Sequence, residues 1–97
     1  MSDKRQNARF DCNMKSQVYW HNITYPATVI NLSVVADRMH LCVHFDDGLP
    51  DVGIGEECGL RLLEGEDDPY PFSYIAQVIR VGASEIVLNI NGMHRYF

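Results

Sequence analysis

The sequence predicts an all-β fold, a single six-stranded antiparallel barrel, and three observations carry that prediction. Arg38–Phe45 alternates strictly, with Met39, Leu41, Val43 and Phe45 on one side and His40, Cys42 and His44 on the other, the period of a half-buried strand. Segments of similar character recur at short intervals between clusters of Gly, Pro, Asn and Asp, the spacing of a sandwich or barrel. No stretch of ten or more residues shows the 3.6-residue apolar period of a helix.

Each element follows from its own residues. Residues 17–23 are rich in aromatic and β-branched side chains and form the first strand, ended by a turn over Asn22, Thr24 and Pro26. Residues 27–33 form the second, with Val29 and Ile30 as buried positions, and Arg38–Phe45 the third. Residues 46–55 are dense in Asp, Gly and Pro and read as a loop. Residues 57–63 form a fourth strand with Cys58, Leu60 and Leu62 on one face, followed by an acidic turn over residues 64–71. Phe72–Val81 and residues 85–90 are a hairpin joined by Gly82-Ala83-Ser84. In the last strand Ile86, Leu88 and Ile90 point one way and Glu85, Val87 and Asn89 the other. Hairpin connections imply antiparallel pairing, and a short sheet buries its apolar face and removes its edges by curling on itself.

Composition narrows the function. The 97 residues carry a net charge of −5, but unevenly. Lys4, Arg5 and Arg9 against Asp3 give residues 1–9 a charge of +2, and the remainder holds −7. An acidic body excludes a duplex-binding protein, because phosphate contacts dominate nucleic-acid affinity. It leaves room for one small anion held by the basic segment. No apolar run approaches the ~20 residues of a membrane span, and the first residues lack the apolar stretch of a signal peptide. Cys12, Cys42 and Cys58 are odd in number and irregularly spaced, which fits a reducing compartment rather than a disulfide framework. A cytoplasmic protein without membrane insertion is the expectation.

Two segments carry candidate chemistry. Arg5-Gln6-Asn7-Ala8-Arg9 sets two arginines four apart, ahead of the first predicted strand. Asn31-Leu32-Ser33-Val34-Val35-Ala36 closes the second strand with an amide and a hydroxyl two apart. Guanidinium groups match phosphate oxygens and the O6/N7 edge of guanine, and they stack on base planes. Taken alone, Asn31 and Ser33 also suit local turn hydrogen bonds.

Together and in this order, the segments resemble the signature of the PilZ family, R-x-x-x-R followed by [D/N]-x-S-x-x-G, and the likeness runs along the whole chain. The resemblance implies a six-stranded antiparallel split barrel that binds cyclic di-GMP as a receptor or effector module in bacterial second-messenger signalling. It implies no enzyme activity, no cofactor, no catalytic residue and no metal. It assigns ligand binding to Arg5, Arg9, Asn31, Ser33 and Ala36, with residues 1–12 a flexible arginine-bearing arm and residues 13–97 the barrel. Two departures stand out. The family's glycine is Ala36 here, a strained choice if the backbone takes a positive φ. The chain also lacks the long C-terminal helix of many members, which would open a surface to a partner or a second copy.

Three other readings compete. His40, Cys42 and His44 share a strand face, but alternate residues lie ~6.5–7 Å apart, wide for three ligands on one metal. Asp46, Asp47, Asp51, Glu66, Asp67 and Asp68 sit in loops with no nucleophile–base set beside them. A PilZ domain that has lost nucleotide binding and acts as a protein-interaction adaptor suits the Ala36 departure and aromatics Tyr19, Trp20, Tyr96 and Phe97, expected to be exposed.

Overall fold

A computed structural model describes residues 8–63 and 72–95, with the side chains of residues 9–63 and 73–92. Six strands are present: β1 (Ala8–Trp20), β2 (Ile23–Val35), β3 (Arg38–Phe45), β4 (Glu57–Leu62), β5 (Phe72–Val81) and β6 (Glu85–Arg95). They form a closed barrel in the order β1-β2-β3-β6-β5-β4, every neighbouring pair antiparallel. The predicted fold class is therefore the observed one. Among the described residues there is no helix.

The chain builds two three-stranded meanders, β1-β2-β3 and β4-β5-β6. The loop after β3 crosses from one to the other, and β3–β6 and β1–β4 pairing closes the cylinder. Alternate residues of each strand point inward, so Val18, Val29, Leu41, Val43, Phe45, Leu60, Val78, Ile86 and Leu88 fill one core. Each is almost fully buried. The alternation read in β3, β4 and β6 thus selects the core face correctly, apart from Met39, which is 38% exposed near the strand's open end.

Two boundaries differ from the sequence reading. The arm expected over residues 1–12 ends sooner, because β1 starts at Ala8 and residues 8–11 pair with β2. Residues 1–7 lie outside the described chain. The first turn also falls earlier than expected. His21 and Asn22 both have positive φ (52° and 65°) between paired Trp20 and Ile23, the signature of a two-residue type I′ connection. Thr24 to Pro26 belong to β2, and Pro26 is tolerated because its bare nitrogen faces the side where the β3 ladder has ended.

One carboxylate ties the β1–β2 turn to the crossing loop. Glu56 accepts the Trp20 indole N–H at 2.7 Å and the Gly53 amide at 2.9 Å, and it lies 3.7 Å from His21. The Trp20 bond first, then Gly53 and His21, hold the Glu56 carboxyl below its ordinary value of 4.5. A carboxyl whose pKa is depressed by folding contributes stability above its unfolded pKa, lost as pH falls through the folded value. Trp20 is the chain's single tryptophan, so its fluorescence should report a loss of this tie below pH 4.5, and Glu56→Gln should flatten that acid limb.

Ala36 turns the β2–β3 hairpin with Asp37, at a φ of 56°. A positive φ at the first central residue only matches a type II′ turn, which favours glycine there. Relief of ~1–2 kcal/mol of left-handed strain, set against ~0.4–1 kcal/mol of added unfolded-state freedom, predicts that Ala36→Gly stabilises the barrel by roughly 0.5–1 kcal/mol. Urea unfolding measures it, and a loss of stability would contradict it.

Candidate functional site

A cleft of about 480 Å³ lies on the outer wall of the barrel, a volume in the range of small-ligand sites. Its floor is a lattice of cross-strand neighbours. One row runs Arg9 (β1), Ser33 (β2), His40 (β3), each paired with the next. The adjacent row runs Asn31 (β2), Cys42 (β3), Val87 (β6), Arg80 (β5). Glu85 and Gly82 close one end.

Two β-bulges build this floor. In β2 the register slips between Val29 and Asn31. Val29 is fully buried against Val43, yet Asn31, two residues on, pairs with outward Cys42 and lines the cleft. The extra residue, Ile30, reverses the alternation, so Asn31 and Ser33 face out while Leu32 packs against the core. In β5 the register slips between Val78 and Arg80. Val78 is buried, Ile79 and Arg80 both reach the cleft, and Val81 packs against the core again. Without these insertions, strict alternation would turn Asn31 and Arg80 into the barrel.

Electrostatically the cleft is mixed. Arg9 and Arg80 sit on opposite walls, four strand spacings or roughly 19 Å apart along the curve. Among the described residues Arg9 has a single long contact, 4.0 Å to Asp11, with both side chains well exposed, and such a pair holds a side chain weakly. Glu85 supplies the negative counterpoint and lies 3.8 Å from the Cys42 thiol. Burial first, then Glu85, push the Cys42 thiol above its ordinary value, while Arg9 and Arg80 draw it back. Both arginines therefore act on the cleft centre. His44, just beyond the floor, lies 3.4 Å from Ser84 Oγ in the β5–β6 turn.

The structure thus brings Arg9, Asn31 and Ser33 together on one face. Arg5 lies outside the described residues. Ala36 sits at the hairpin tip and does not line the cleft. His40 and Cys42 join the site as ordinary polar wall, and among the described residues no three His, Cys, Asp or Glu side chains are grouped to hold a metal ion. Tyr19 and Trp20, expected exposed, are half-buried, and Tyr96 and Phe97 lie outside the described chain. Sequence reasoning missed Arg80 and Glu85. Arg80 is hidden by the bulge that breaks its strand's alternation, while Glu85 was placed on the outer face but given no role.

No protein-family model and no curated protein matches the chain.

The cleft geometry has a direct chemical check. Because Glu85 raises the Cys42 thiol, Glu85→Gln should speed alkylation of Cys42 by iodoacetamide at pH 8 severalfold, read by peptide mass spectrometry. An unchanged rate would place Glu85 away from the thiol.

Proposed function

We propose that this chain is a PilZ-type barrel whose outer cleft binds cyclic di-GMP, making it a non-catalytic receptor module for that second messenger in the bacterial cytoplasm. The observation that carries the reading is the direct pairing of Arg9 with Ser33, beside Asn31 and across the cleft from Arg80. The two signature segments, 22 or more residues apart in sequence, meet as cross-strand neighbours.

The cleft offers one partner for each feature of such a ligand. Guanidinium groups on two walls supply forked donors for phosphate oxygens and for the O6/N7 edge of guanine, and planar faces on which a base stacks. Asn31 and Ser33 offer the amide and hydroxyl that fix register. Glu85, ill-suited to a purely anionic ligand, accepts from the exocyclic amine of guanine. Arg5 belongs to the same motif and would close over the ligand from the segment ahead of β1.

Ala36 bears on this reading through the backbone. It already holds a positive φ of 56°, a conformation that glycine would permit there without strain, and it is not among the residues lining the cleft. The substitution therefore weighs on the hairpin rather than on the ligand.

Calorimetric titration of cyclic di-GMP tests the proposal. Wild type should bind, and Arg9→Ala should weaken binding about tenfold to a hundredfold, the scale of one charge-assisted contact of ~1.5–3 kcal/mol. Absence of heat in wild type at millimolar ligand would reject it.

A further inference from the structure

The other end of β2, at the β1–β2 turn, carries a second concavity that shares no lining residue with the cleft. Trp20, Ile23, Tyr25 and Pro26 from the β1–β2 turn face Leu49 and Pro50 of the crossing loop across a shallow groove of about 620 Å³. Its floor is aromatic and aliphatic, and Ile23 is 52% exposed. Its rim is acidic, with exposed Asp47 and Asp51.

The walls are fixed before anything binds. Trp20 is tied to Glu56, and Glu56 to the loop at Gly53. Tyr25 packs edge-on against core Phe45 with ring centres 6.1 Å apart, and Thr28 donates to Asp46 at 2.9 Å. Those bonds occupy Asp46 and Glu56. Asp47 and Asp51 make no hydrogen bond or ion pair among the described residues. The stretches that supply the groove's lining hold no Lys or Arg: none occurs between Lys15 and Arg38, nor between Arg38 and Arg61.

Charge complementarity selects the occupant. A second copy meeting this groove face to face would bring acidic rim to acidic rim, and an anionic lipid surface would be repelled likewise. A partner that covers exposed apolar surface while neutralising Asp47 and Asp51 must itself be apolar and cationic.

We propose that the groove between the β1–β2 turn and the crossing loop docks a short segment of another protein in which apolar side chains are flanked by Lys or Arg. Residues Trp20, Ile23, Tyr25 and Leu49 receive the apolar side chains, and Asp47 and Asp51 the cations. The site is separate from the outer cleft and does not depend on what the cleft binds.

The test uses the whole chain, labelled with ¹⁵N, and two synthetic amphipathic peptides of 14 residues, one of Leu and Lys and one of Leu and Glu. The Leu/Lys peptide should shift the Trp20 indole and the Ile23 and Leu49 amides saturably, and the Leu/Glu peptide should not. An Asp47→Lys, Asp51→Lys double variant should weaken binding tenfold or more. An Asp11→Lys, Asp37→Lys variant changes net charge equally and should leave affinity within twofold. Equal weakening by both double variants would mean diffuse charge attraction and overturn the proposal. So would the absence of shifts at Trp20, or groove shifts that track protein concentration with a dimer in sedimentation.

Discussion

The candidate cleft rests on two of the barrel's register shifts, one in β2 and one in β5. A six-stranded cylinder with strict alternation has an apolar inside and a polar outside, and nothing aims particular outer side chains at one another. Ile30 in β2 and Ile79 in β5 each add a residue without a ladder partner. Each insertion switches the following residue from core to surface, delivering Asn31 and Arg80 to the same cross-strand row. The β3–β6 ladder between them keeps one register from His40 to His44, so Cys42 and Val87 form a level floor. A bulge costs ladder hydrogen bonds and local regularity, and here both fall beside the cleft.

That arrangement explains what the sequence reveals and what it hides. Regular strands are legible: in β3 and β6 the alternating residues name the core face directly, and Leu41, Val43, Phe45, Ile86 and Leu88 are buried as read. Bulged strands are not, since one extra residue erases the period just where the site forms. Phe72–Val81 reads as a strand, but its run of Ile75, Val78, Ile79 and Val81 does not announce the bulge that carries Arg80 to the cleft. The first half of β1 is a different omission. Phe10, Cys12, Met14 and Val18 do alternate with Asp11, Asn13, Lys15 and Gln17, but Asp, Asn and Lys are poor strand formers. Pairing with β2 overrides that propensity.

The hairpin tip shows how a local rule and a site can be separated. Glycine-like geometry is required at Ala36 by the two-residue turn, irrespective of any ligand. The residue sits at the far end of β2 from the crossing loop, with Ser33 and Asn31 between. The molecule therefore has three distinct neighbourhoods at different heights: a strained hairpin, a mixed-charge cleft on the wall, and an acidic aromatic groove at the other end. The core residues Val29, Val43, Leu60 and Val78 hold these together as one rigid cylinder.

A receptor role for the cleft requires Arg9, Asn31 and Arg80 to act on one ligand. The most direct measurement is a side-chain ¹⁵N spectrum of the arginine Nε and asparagine Nδ2 resonances during addition of cyclic di-GMP. Arg9, Arg80 and Asn31 should shift together along a single saturation curve. A curve that moves other resonances and leaves these three in place would contradict it.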